Sequence, residues 1–305
     1  MPTPHSLPGI WPALLTPLDA ALNIDLKRFA AHAKSLVEGG CGGVTPFGTT
    51  GEGPSFSLDE RRAAIDALVE GGVPGSRILV STSCAALPET LALTRHALSV
   101  GAWGCLMLPP FFLKGVPDQG IVDAYRWVID GAADPRLRIM LYHIPQVAGV
   151  GLSHGVIREL KRLYPDTIIG IKDSQCDLAH SIALADEFMT SVTVHVGNEP
   201  DLPEMGRRGS TGAVSGLANF MPRHVHRMVS TPDAPGTAQD LARVQQLLAI
   251  LGGYALMPAL KGIMTILSGE KAWLRVRPPL VALTDDGLAA LEKQLRAFGI
   301  DTLRD

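Results

Sequence analysis

No CxxC pair occurs in the sequence, and its four cysteines, Cys41, Cys84, Cys105 and Cys176, stand far apart. That spacing argues against a zinc site built on closely spaced ligands. It leaves reduced core cysteines in a cytoplasmic protein as the expectation. Basic blocks of five or more residues are also missing, and the formal net charge is only -3, so a nucleic-acid partner is not expected. An 18-residue apolar stretch free of charge is absent too, which argues against a membrane span. The start, Met1-Pro2-Thr3-Pro4-His5-Ser6, lacks the basic-then-apolar order of a signal peptide. Low-complexity segments and short-period repeats do not stand out.

What remains is a composition with 46% apolar and 19% charged residues, which suits a compact globular enzyme. Short apolar runs alternate with helical patterns over about two thirds of the chain. The runs cover residues 10–15, 43–47, 77–82, 105–108, 139–143, 168–172, 192–196 and 212–215, each followed by a segment of helix length. Ser57 and Glu60 have the spacing of a capping box, and Pro88 suits a helix start. Strand–helix alternation predicts a parallel sheet, and eight units are the number that closes a barrel. The competing α/β reading is an open doubly wound sheet. It wants a glycine-rich dinucleotide turn after the first strand, and Leu15-Thr16-Pro17-Leu18-Asp19 is not one. Beyond a hinge at Asp233-Ala234-Pro235-Gly236 only helices are predicted, over 237–251, 258–267 and 286–298. The expected organisation is therefore a (β/α)8 TIM barrel over 1–233 and a helical extension over 234–305 packed on it.

In such a barrel the site lies at the carboxyl ends of the strands. Those ends carry Thr49 and Thr50, Tyr142, Lys172, Gly197 to Glu199, and Val214 to Gly216. Lys172 is the singular one. Of eight lysines it alone ends an apolar strand, while the others fall in helices or loops where a solvated ammonium is the default. An amine there suits attack on a ketone or aldehyde to form a Schiff base; a strand-edge lysine paired with Asp173 is the structural alternative. Gly48-Thr49-Thr50-Gly51-Glu52-Gly53 offers hydroxyl and backbone donors that suit a carboxylate, or is a plain glycine-rich turn. It lacks the lysine of a phosphate loop. The Tyr142 phenol suits proton transfer, or packs.

Four segments occur in order: Gly48-Thr49-Thr50-Gly51-Glu52, Tyr142-His143-Ile144-Pro145, Gly170-Ile171-Lys172-Asp173 and Gly212-Ala213-Val214-Ser215. Together they resemble the signatures of the dihydrodipicolinate synthase / N-acetylneuraminate lyase family, over nearly the whole chain. The resemblance implies class I, Schiff-base chemistry on pyruvate, with no cofactor and no metal. It implies Lys172 as the imine-forming lysine, Tyr142 as the proton relay, and Thr49 and Thr50 as holders of the pyruvate carboxylate. Val214 then lies beside the bound pyruvate, and a homotetramer is implied.

Departures bear on the subfamily. The synthases carry an arginine where this chain has Val147, and a Pro-Tyr-Tyr segment where it has Pro110-Phe111-Phe112. Ile144 to Val150, Gly197-Asn198-Glu199, Ser174 and Arg277-Pro278-Pro279-Leu280 are more similar to the sialic-acid lyases and 2-keto-3-deoxy-sugar-acid aldolases, with His143 replacing the usual asparagine. Glu199 and Ser174 are expected to meet substrate hydroxyls. The predicted activity is cleavage or formation of a 2-keto acid from pyruvate and an aldehyde. The alternatives are condensation of pyruvate with aspartate semialdehyde, and a non-catalytic keto-acid-binding protein.

Overall fold

The computed structural model describes residues 7–300, so the reading of Met1 to Ser6 lies outside the described residues. Seven strands are formed among them. They are β1 (Gly9–Pro12), β2 (Leu79–Ser81), β3 (Gly104–Met107), β4 (Ile139–His143), β5 (Ile168–Asp173), β6 (Thr193–Val196) and β7 (Gly212–Ser215). Strands β2 to β6 form a parallel sheet in sequence order, and β1 pairs in parallel with β7. The predicted run over 43–47 fills the gap between β1 and β2, but only through single bridges, Ala13 to Thr45 and Val44 to Ile78. Pro46 has no N–H to extend the ladder, and Phe47 turns away with φ 64. Between β6 and β7 the Ser210 hydroxyl donates to the Val194 carbonyl at 2.8 Å. The result is a (β/α)8 barrel with a C-terminal helical extension.

Successive strand residues face opposite ways. Trp11, Leu79, Leu106, Met140 and Val214 fill the barrel interior. Ile10, Val80, Leu141, Ile171 and Val194 face the surrounding helices in the larger core. The helix Leu58–Glu70 begins with the expected capping box: Ser57 N–H donates to Glu60 Oε2 at 2.9 Å and Glu60 N–H to Ser57 Oγ at 3.3 Å. In Leu87–Ser99, Pro88 occupies the first turn.

The extension comprises helices Pro235–Leu251, Leu256–Ser268 and Asp285–Phe298. Their Leu247, Leu251, Leu260, Ile263 and Leu291 share one core with Leu14 and Leu15 of the barrel. Among the described residues no single helix is long and apolar enough to cross a membrane; the first two extension helices pass that test only as a pair bent by 113°. The cysteine expectation needs correction. Cys41 and Cys105 are buried and Cys84 partly so, but Cys176 is exposed. It lies beyond the end of β5, where its φ of 63 sends the chain out into a loop.

Candidate active site

The ladder registers put Tyr142 opposite Lys172 and Lys172 opposite His195. Three side chains from β4, β5 and β6 therefore form one row on the inner face of the barrel. Lys172 is buried, 5% exposed. Its Nζ lies over the Tyr142 ring, 4.2 Å from the centroid, where the ring quadrupole favours an ammonium. At the edge of the ring the Tyr142 hydroxyl lies 3.2 Å from Thr49 Oγ1. Lys172, Tyr142 and Thr49, remote in sequence, thus make one contiguous chain of contacts. Asp173 does not pair with the lysine. It faces the helix layer, where Oδ2 accepts from Ser181 Oγ at 2.7 Å and lies 3.0 Å from His180 Nδ1.

The loop carrying Thr49 and Thr50 is held from behind. Glu52 adopts the left-handed conformation at φ 56 and turns its carboxylate inward, into an ion pair with Lys261 on the extension. Neither side chain has any solvent exposure. Lys261 Nζ also donates to the Arg275 carbonyl at 2.7 Å. Burial raises the Glu52 carboxyl and lowers the Lys261 ammonium, and the attraction between them opposes both shifts. The expectation that all lysines other than Lys172 are solvated is wrong for Lys261. On its helix it faces the barrel, and the ammonium is compensated by a carboxylate 209 positions away. Gly53 is required here, since a Cβ would meet the Phe47 carbonyl oxygen at 2.0 Å. Thr50 lies against Gly216 after β7, with Oγ1 3.4 Å from the position of a Cβ there.

Gly197 follows β6, and its N–H donates to the Asp173 carbonyl at 2.7 Å. A Cβ at Gly197 would lie 2.3 Å from Ser174 Oγ and 3.2 Å from Lys172 Cε. Ser174 is thus beside the lysine, and the absent side chain of Gly197 makes the space. Glu199 is buried, and its Oε1 accepts from Ser215 Oγ at 2.6 Å and from Leu217 N–H at 3.3 Å. Burial raises its carboxyl, partly offset by these bonds and by Lys172. Val214 is buried on β7 inside the barrel, in register with Trp11. Phe112 and Val147 lie at the surface, 75% and 61% exposed.

Behind the row, His143, Asp173 and His180 bring potential ligand atoms within 4.8 Å of one another. They fit a metal ion poorly. The two imidazoles are stacked, 4.6 Å apart and tilted by 19°, so their lone pairs lie in nearly parallel planes. His143 Nδ1 already accepts from Leu152 N–H at 2.9 Å, and its Nε2 lies 2.7 Å from Gln175 Oε1. The cluster braces the loop after β5 against β4. His195 was missed by sequence reasoning, although its place between Val194 and Val196 in an alternating strand signals an inward side chain.

A family model described as the dihydrodipicolinate synthetase family matches residues 6–298. An uncharacterized DapA-like lyase of Chloroflexus aurantiacus is 32% identical over 93% of this chain and 94% of its own length. The 4-hydroxy-tetrahydrodipicolinate synthase of Thermus thermophilus is 30% identical over 96% of each chain. Among solved structures, dihydrodipicolinate synthase from Agrobacterium tumefaciens superposes with a TM-score of 0.89 at 32% identity, covering 95% of this chain and 99% of that one. A catalytic lysine mutant of the sialic acid aldolase of Ruminococcus gnavus shares the fold with a TM-score of 0.86 at 21% identity, over 98% and 97% of the two chains. A match of this extent, on a barrel whose strand ends bring Lys172, Tyr142 and Thr49 together, makes the chain a member of the dihydrodipicolinate synthetase family.

Proposed function

We propose that this protein is a Schiff-base-forming, pyruvate-dependent aldolase. It cleaves, or forms, a 2-keto-3-deoxy sugar acid or a similar 2-keto acid, giving pyruvate and an aldehyde. Members of its family are lyases and aldolases. The observation that carries the reading is the contact chain from Lys172 Nζ through the Tyr142 ring and hydroxyl to Thr49 Oγ1. Lys172 attacks the ketone and forms a protonated imine. That imine withdraws electrons, so the C3–C4 bond breaks to an enamine and an aldehyde. Tyr142 moves the protons. Thr49 and Thr50 hold the carboxylate, with Val214 beside the bound pyruvate, which fixes the orientation of the bond to be broken. Ser174 and Glu199, next to Gly197, take substrate hydroxyls; Glu199 is already bound through Oε1, which leaves Oε2 for this task.

Condensation of pyruvate with aspartate semialdehyde is the second reading, favoured by the names of relatives such as the Thermus synthase. Against it stand Val147 and Phe112, neither of which offers a cation or a phenol. We further propose a homotetramer as the working assembly. Treatment with pyruvate and borohydride, followed by peptide mass spectrometry, tests the central claim. The expected adduct is on Lys172, and its absence overturns the reading. Comparing cleavage of 2-keto-3-deoxygluconate and N-acetylneuraminate with condensation of aspartate semialdehyde then separates the two readings.

A further inference from the structure

His195 sits inside the barrel in the row that begins with Tyr142 and Lys172. Its neighbours on β6, Val194 and Val196, belong to the outer core, so alternation points the imidazole inward. The same barrel interior holds the apolar Met140, Leu106 and Val214. His195 is 0% exposed, and neither ring nitrogen has a hydrogen-bond partner among the described residues. A leucine would pack at that position without leaving two polar atoms unmet. A buried polar side chain of this kind calls for a small polar occupant or a role in the chemistry.

The class of occupant follows from the ring's charge. Burial holds the imidazole neutral, lowering its pKa to about 3. A neutral imidazole presents one N–H donor and one lone-pair acceptor. Water is the small molecule that satisfies both. Schiff-base chemistry beside Lys172 both releases and consumes one water per turnover.

We propose that His195 is a positioning residue that seats the water exchanged between Lys172 and the 2-keto acid. This inference rests on the Schiff-base reading above. As Nζ bonds to the keto carbon, the carbonyl oxygen becomes a hydroxyl. The nitrogen lone pair then forms the C=N bond, and the C–O bonding pair leaves with the oxygen. The ammonium begins with three protons and the iminium keeps one; the other two, relayed by Tyr142, complete the departing water. That water moves onto the imidazole. In product release it returns to the imine carbon, and the same protons go back to nitrogen.

The test is rapid-quench borohydride trapping of the pyruvate adduct in wild type, His195→Leu and His195→Gln. The expected result for His195→Leu is adduct formation about tenfold slower, with the final yield within about twofold of wild type, as for loss of one hydrogen bond to the exchanged water. Glutamine offers a donor and an acceptor and restores the rate. A wild-type rate in His195→Leu overturns the proposal, as does a slow rate that glutamine fails to recover. Should the leucine variant not fold, ¹⁵N spectra of the wild-type imidazole decide: pyruvate must shift a His195 ring nitrogen, and unchanged resonances overturn it. Failure of wild type to form any Lys172 adduct removes the Schiff-base reading and this inference together. Normal wild-type trapping with an unaffected leucine variant removes this inference alone.

Discussion

Lys261 and Glu52 form an ion pair with no solvent exposure on either side chain, tying the C-terminal extension to the loop that carries Thr49 and Thr50. Removing one member leaves an uncompensated buried charge. Lys261→Met should therefore cost about 3–5 kcal/mol of stability. A Lys261→Met/Glu52→Gln double variant, which removes both charges, should recover much of that loss. Urea denaturation of the three proteins checks this. Equal stability of the single and double variants would mean the pair contributes only by packing.

The two partners of the Tyr142–Thr49 contact carry different tasks in the proposed mechanism. Tyr142→Phe keeps the ring under Lys172 but removes the hydroxyl, and should lower kcat by about 10²–10⁴-fold. Thr49→Val should act more on the 2-keto acid, raising KM by about tenfold through loss of a hydrogen bond to a charged group. Steady-state kinetics on the same substrate distinguish these patterns.

Gly197→Ala introduces a methyl group 2.3 Å from Ser174 Oγ and 3.2 Å from Lys172 Cε. The strand end can yield slightly, so the fold should persist while the lysine is displaced. Misplacement on that scale is worth about 10²-fold in turnover. The expected outcome is an ordinary thermal melt with strongly reduced kcat; unchanged kcat would show that Lys172 does not need its present position.

Glu60 pairs with Arg277, whose guanidinium also caps the Leu22 carbonyl at 2.8 Å and the Ser55 carbonyl at 2.9 Å. The Arg277 hydrogen bond lowers the Glu60 carboxyl from 4.5 to about 2. A carboxyl depressed in the folded state contributes stability above its unfolded value, and loses it as pH falls through the folded one. Glu60→Gln should thus be less stable than wild type at pH 7, with the gap narrowing from about pH 4.5 to about pH 2. Urea midpoints across that range test the direction.

Much of the fold was legible because its signals are local. The capping box at Ser57 needs only four residues, and β5 advertises itself as an apolar run ending in Lys172. The second barrel position was overread: residues 43–47 have strand composition, but Pro46 and the turn at Phe47 limit them to two bridges. The candidate site was legible wherever a strand end carried an unusual group. Lys261 escaped because a buried helical lysine has the same sequence appearance as a solvated one. Its partner, Glu52, becomes visible only after the chain has folded back. His195 was detectable in principle, since Thr193 and His195 alternate with Val194 and Val196, but a lone histidine in a strand usually marks packing.

The Glu52–Lys261 pair also bears on the order of assembly during synthesis. All barrel strands have been made once Ser215 has left the ribosome, and Lys172 well before that. The loop that would hold the substrate carboxylate gains its anchor only when Lys261 follows. A nascent chain therefore carries Lys172 for some ninety residues of elongation before the neighbouring loop is pinned, a delay of about 4–18 s at about 5–20 residues per second. The amine is made first, and the last quarter of the polypeptide determines when it has a finished site around it.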